Sequence, residues 1–230
     1  MNRYFNIFLL ILIGILFSFS GCDKRKDVTG VQIYPSVAVL KVGEDIRLEA
    51  IVFPEDADNK SVKWTYNTME SVDSLSDVIS ISENGKVQGL SEGIAKAICI
   101  TNDLFYEASA RIFVGYAVAV KGIYTGSLSE NGTVINTTFK IGISHVSEYE
   151  ALLGLPFISN TDACPVTVDY ISEKMYFEGE STVDIQGVMT PVQVKGYVSL
   201  DGIGNFEILL GTAPTVTTYT FFGTIDNRSF

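Results

Sequence analysis

The sequence predicts an all-β protein of two domains in tandem, a β-sandwich over residues 28–115 and an antiparallel barrel of about eight strands over residues 116–230. Three observations carry this. Apolar and polar residues alternate over short runs in the first region, as where Ile46, Leu48 and Ala50 are separated by Arg47 and Glu49, the period of a strand with one buried face. The alternation then lengthens: Met175, Phe177, Gly179, Ser181, Val183 and Ile185 fall on one side of a run and Tyr176, Glu178, Glu180, Thr182 and Asp184 on the other. Turn residues punctuate both regions, and Asn131-Gly132 in the second accepts the positive φ of a type I′ hairpin.

Ahead of the strands, Arg3 is the only charge in the first 22 residues, and Ile7 to Phe17 is an apolar run of eleven. This is a secretion signal. It is shorter than the roughly 20 residues a spanning helix needs. At its end, Phe19-Ser20-Gly21-Cys22 resembles the lipobox of bacterial lipoproteins, with Phe19 where that family usually has Leu. The resemblance implies removal of residues 1–21, acylation of Cys22, and a place at the outer membrane or elsewhere in the cell envelope, outside the cytoplasm. One acyl chain holds a protein marginally and two or more hold it stably, so the membrane is an expected partner through Cys22. Residues 22–27 form a tether, whose Lys24-Arg25-Lys26 either meets anionic head groups or stays solvated.

Cleavage leaves 209 of the 230 residues, enough for one large or two small domains. Without Arg3, 15 basic residues face 27 acidic ones, a net charge near −12. That balance excludes nucleic acid as a partner, because phosphate recognition requires clustered cations. With Cys22 acylated, Cys99 and Cys164 could pair only between the domains, and Cys99 sits in a strand pattern that favours a buried free thiol. A single histidine, His145, provides no set of soft ligands for zinc, and no cofactor or metal is expected. His145 reads as a surface residue at a strand end.

In the first domain, strands are expected around Val31-Ile33, Val37-Leu40, Ile46-Val52, Val62-Trp64, Val78-Ser82, Lys86-Val87, Ile94-Thr101 and Tyr106-Val114. Short strands at this density are the pattern of a sandwich. Leu40-Lys41-Val42-Gly43-Glu44, Phe53-Pro54, Val62-Lys63-Trp64, Asn84-Gly85-Lys86-Val87-Gln88-Gly89 and Gly93-Ile94-Ala95 resemble the bacterial Ig-like domain, group 2. The resemblance implies structural roles: turn glycines, Trp64 between the sheets, and small Ala95 and Ala97 on a crowded inner face. Asn67 to Asp77 reads as an exposed loop, and its Asp73-Ser74-Leu75 resembles a bacterial O-glycosylation acceptor.

Two local patterns in this domain point to chemistry. Gly89-Leu90-Ser91-Glu92-Gly93 fits G-x-S-x-G, but a hydrolase needs that serine on a strand-to-helix elbow near a histidine, and here the context is strand, turn, strand. Asp56, Asp58 and Asn59 offer oxygens to Ca²⁺, which takes six to eight, with no glutamate at binding-loop spacing after them; a solvated acidic loop is the simpler reading.

In the second domain, strands are expected over Val118-Ser129, Thr133-Ser144, around Val166-Val168, Met175-Ile185, Val192-Leu200, Phe206-Leu210 and Tyr219-Ile225, with a helical turn in Val146 to Leu155. Long hairpin-linked strands favour an up-and-down sheet that closes to remove its edges. Val120-Lys121-Gly122-Ile123-Tyr124, Pro165-Val166-Thr167-Val168 and Phe222-Gly223-Thr224-Ile225 resemble the calycin-like, lipocalin-like domain of envelope lipoproteins.

These features describe a non-enzymatic envelope lipoprotein in which a spacer presents a barrel that binds something. In one reading the barrel's outer wall serves adhesion or glycan binding, through exposed Tyr170, Tyr176 and Tyr197. In the other its apolar inner face, including Phe139 and Phe177, carries a small lipophilic ligand. A paired-carboxylate hydrolase is a third possibility, but Glu178, Glu180 and Asp184 share one strand face, which reads as the solvated outside.

Overall fold

A computed structural model describes residues 25–72, 76–158 and 162–226. The expected signal over residues 1–21, Cys22 and Asp73-Ser74-Leu75 lie outside the described residues. The first domain holds β1 (Gly30–Tyr34), β2 (Val37–Leu40), β3 (Asp45–Arg47), β4 (Glu49–Phe53), β5 (Val62–Ser71), β6 (Ile79–Ile81), β7 (Lys86–Gly89), β8 (Gly93–Thr101) and β9 (Glu107–Val114). They form sheets of order β2-β9-β8-β5, β3-β7-β6 and β1-β4, with β2 parallel to β9. The inward residues Leu48, Ile79, Val87, Ala95, Ala97, Cys99 and Ile112 make the core, and Trp64 packs half-buried against it. Asn67 to Ser71, expected as loop, continues β5 because it stays paired with β8 through Ser71 opposite Gly93.

Cys99 and Cys164 are free, fully buried thiols in the cores of different domains, and burial pushes each up to about 11. Between the unfolded thiol's value near 8.5 and this raised value, the unfolded chain binds fewer protons than the folded one, so stability falls as pH rises through that window. Denaturant titrations are expected to show this decline toward about pH 11, and a Cys99→Ala, Cys164→Ala variant is expected to show a shallower one.

The second domain starts with α1 (Tyr116–Val120), then β10 (Gly122–Glu130), β11 (Thr133–Ser147), β12 (Glu150–Gly154), β13 (Ala163–Ile171), β14 (Lys174–Ile185), β15 (Val188–Ser199), β16 (Ile203–Leu210) and β17 (Thr217–Ile225). All eight strands are antiparallel to their neighbours, and β17 pairs with β10 to close the barrel. The β10–β11 turn has positive φ at Asn131 (47°) and Gly132 (82°), the geometry Asn-Gly favours. Two expectations are corrected. Val146 to Leu155 holds no helical turn but the end of β11, a tight turn and β12. The helix instead spans Tyr116–Val120, whose five buried residues run apolar without interruption; periodicity cannot tell such a run from a strand.

Alternation fills the lumen. Phe206 lies against Phe221, Tyr124 and Phe177 at ring-centroid distances of 5.2, 5.4 and 5.1 Å. Leu128, Ile141, Leu153, Met175 and Ile208 are further inward residues and are fully buried. One end of the barrel is packed by α1, where the Tyr124 hydroxyl donates to the Val120 carbonyl at 2.6 Å. Near the other end Phe139, Phe157 and Tyr219 pack together, with centroids 6.2 and 4.5 Å apart along the chain of contacts.

The domains share a packed junction. Val39 and Phe113 of the sandwich belong to the same buried cluster as α1 and the barrel interior. Around it, the Val42 amide donates to Glu148 at 2.8 Å, Lys121 pairs with Glu70, and the Lys41 ammonium lies 5.5 and 5.8 Å from the ring centres of Tyr116 and Tyr149. His145, expected at the surface, is mostly buried here with its Nε2 at 2.5 Å from Glu92 Oε2. The chain's single histidine therefore joins the domains. His145→Ala and Glu92→Ala are each expected to cost about 1–2 kcal/mol in denaturant titrations, with the double variant costing little more than either alone.

Candidate functional site

The outer wall of the barrel follows from the same alternation that fills its lumen. On β14, Met175 and Phe177 point inward, so Tyr176 and Glu178 point out; on β15, Val194 and Val198 point inward, so Lys195 and Tyr197 point out. Strand register then sets these side chains side by side. Asp169, Tyr176, Tyr197, Asn205 and Phe222 form one row across β13 to β17. Strands lie about 4.8 Å apart, so the row spans about 19 Å measured along the sheet. Thr167, Glu178, Lys195, Glu207 and Thr220 form the neighbouring row.

Between these rows the wall is concave. A hollow of about 490 Å³ is lined by Asp169, Ile171, Tyr176, Glu178, Lys195 and Tyr197 among others. It adjoins a second, of about 440 Å³, that shares Thr167, Glu178 and Lys195 and extends to Glu180 and Gln193. The result is a trough along β13 to β15, aromatic at one end and polar at the other. Tyr176 is 40% exposed, and its ring centre lies 5.8 Å from that of the half-buried Tyr197. The Lys174 ammonium covers one face of Tyr197 at 4.2 Å. Lys195 pairs with Glu207 at 2.5 Å, and the Gln193 amide donates to Glu180 at 3.0 Å, so the polar end is held in place by its own side chains.

The predicted site residues are thus partly brought together. Tyr176 and Tyr197 share the trough. Tyr170 does not: it has the inward parity of Val166 and Val168, packs half-buried at the α1 end, and lies 5.9 Å from Tyr116 between ring centres. Phe139 and Phe177 face inward as expected, but their rings lie against other rings, and a lipophile in the lumen would have to displace them. Asp169, Asn205 and the 58% exposed Phe222 were not singled out from the sequence. Parity alone could have found Phe222, since Phe206 and Phe221 are strong inward residues and its neighbour must face out.

The patterns suggestive of chemistry are used structurally. The Ser91 hydroxyl donates to the Asp77 carbonyl at 2.9 Å in the β7–β8 turn, and the next residue, Glu92, holds His145. Asp58 accepts the Lys26 amide at 2.8 Å, Asp56 pairs with the Lys26 ammonium, and Asn59 accepts from the Ser61 amide at 3.1 Å. Glu178, Glu180 and Asp184 all point into solvent from one strand. Among the described residues no three His, Cys, Asp or Glu side chains converge as a metal site.

Comparison with known families decides the first domain. Residues 27–110 match the bacterial Ig-like domain, group 2. In this Ig-like domain the motif residues play the structural parts seen above, with Ala95, Ala97 and Cys99 sharing one fully buried strand face. The barrel lies beyond the matched residues. A crystal structure of a "putative outer membrane protein" from Bacteroides fragilis NCTC 9343 aligns with 76% of this chain and 79% of its own, at 15% identity and a TM-score of 0.34. No curated protein matches the chain.

Proposed function

We propose that this chain is a non-enzymatic, lipid-anchored envelope protein whose Ig-like domain carries a barrel with a carbohydrate-binding outer wall. The observation that supports it is the trough: exposed Tyr176 beside Tyr197, flanked by Asp169, Glu178, Lys195 and Gln193, with Asn205 next to Tyr197 on the adjoining strand. Tyrosine gives a large flat contact surface at low entropic cost, while the amide and charged groups meet hydroxyls by hydrogen bonds. The polar outward residues Glu178, Glu180, Asp184, Gln193 and Lys195 over an apolar lumen are the reverse of a membrane-spanning barrel, which supports a barrel that stands in water. The lipobox at Cys22 supports an envelope location and the membrane as partner.

Native mass spectrometry of the chain freed of its lipid anchor, incubated with envelope lipids and with capsule glycans, tests the reading. Sugar-sized adducts that diminish in Tyr176→Ala are the expected result. A retained lipophilic mass that persists in Tyr176→Ala and is lost on changing Phe177 would replace the wall by the lumen.

A further inference from the structure

We propose that the tip of the β8–β9 hairpin, Leu104-Phe105, inserts into the lipid surface that holds Cys22, as a second, shallow membrane contact beside the anchor. The inference rests on the lipobox reading of Cys22 and goes beyond it. Its first support is where the described chain begins. Arg25 is bound to Asp103 on this hairpin, Nη2 to Oδ2 at 2.9 Å. Arg25 lies three residue steps from Cys22, a reach of at most about 11 Å. Whatever membrane anchors Cys22 therefore passes close to the hairpin tip.

The second support is what the tip presents. Leu104 is 58% and Phe105 79% exposed, side by side on a turn with Tyr106 behind them. The turn is braced from beneath. Thr101, fully buried, donates its hydroxyl to the Asp103 carbonyl at 2.6 Å and accepts the Tyr106 amide at 2.9 Å. Asn102 is tied through its amide and its side chain to Ser61, both at 3.0 Å. Leu104 and Phe105 hold φ of 60° and 55°, a conformation that non-glycine residues rarely adopt. A braced apolar turn beside an acylated residue matches a bilayer's interfacial region, where aromatic and aliphatic side chains are favoured.

The two described tether cations do not supply the attraction: Arg25 is matched by Asp27 and Asp103, and Lys26 by Asp56. The contact should accordingly be insensitive to salt. Two contacts at one end of the Ig-like domain also restrict its tilt, which a lipid tether alone leaves free. β8 rises for eight steps from Gly93, beside the barrel junction, to Thr101, about 26 Å, so the barrel is held at the opposite end.

The test uses the lipidated full chain on vesicles of phosphatidylethanolamine and phosphatidylglycerol. Because Cys99 and Cys164 are buried, Phe105→Cys offers the one accessible thiol among the described residues for an environment-sensitive fluorophore, and Val188→Cys on the β14–β15 hairpin is the control. Flotation with the vesicles, lost in Cys22→Ser, reports the anchor. The expected result is a blue-shifted label at residue 105, quenched by lipids brominated along their chains at low and high salt alike, with the label at residue 188 unaffected. Slower amide exchange at residues 103–106 of the unlabelled chain on vesicles than in the Cys22→Ser form should accompany it. Intact flotation with residue 105 no more quenched than residue 188 and unchanged exchange would overturn the hairpin contact and leave the anchor standing. Loss of flotation in the parent chain would overturn both.

Discussion

Phe206→Ala is expected to lower the unfolding free energy by about 3–5 kcal/mol, the usual cost of removing a buried phenylalanine. Phe206 is the ring on which the lumen converges, in contact with Tyr124, Phe177 and Phe221 at once. Removing it takes contacts from three further rings that rigid strands hold in place, so the void cannot collapse. Against a typical domain stability of about 5–15 kcal/mol, that is a large fraction. Phe222→Ala is the contrast: the ring is on the outer wall, and its loss is expected to change stability by no more than about 0.5 kcal/mol. Denaturant titration of the two variants separates a packed lumen from one held open for a ligand, since a lumen that fills with lipophile would tolerate Phe206→Ala when supplied with that ligand.

Gly126→Ala is expected to cost about 3 kcal/mol, the upper end of the range for overpacking. Gly126 faces Gly223 across β10 and β17, the pair that closes the barrel. A methyl group on Gly126 would stand 2.2 Å from the Phe222 carbonyl oxygen and 2.3 Å from Gly223 Cα. Both are backbone atoms of the closing pair, so relief requires opening the seam. Amide exchange should rise along β10 and β17 before other strands. Gly142→Ala, where an added methyl meets no atom within 4 Å, should be neutral or slightly stabilising.

Both the lumen and its wall were legible in the sequence because a closed sheet turns alternation directly into inside and outside. The run from Met175 to Ile185 assigned every residue to its face, and Asn131-Gly132 placed the first barrel hairpin. What alternation cannot convey is which residues on different strands share a row. Register brings Asp169, Tyr176, Tyr197, Asn205 and Phe222 together from five strands, and only pairing reveals it. Tyr170 was misplaced although its parity with Val166 and Val168 was available. The role of His145 was hidden for another reason: its partner Glu92 belongs to the other domain, 53 positions earlier in the chain.

The central claim is that binding occurs on the barrel wall at Tyr176 and Tyr197. Calorimetric titration of a capsule glycan that binds the native chain, repeated with Tyr176→Ala, Tyr197→Ala and the exposed Ig-like-domain control Tyr34→Ala, tests it most directly. Each wall variant is expected to weaken binding by about 10-fold or more, as loss of an aromatic anchor typically does, with Tyr34→Ala unchanged. Undiminished binding in both wall variants, with all proteins folded, would contradict it and place the recognition surface elsewhere.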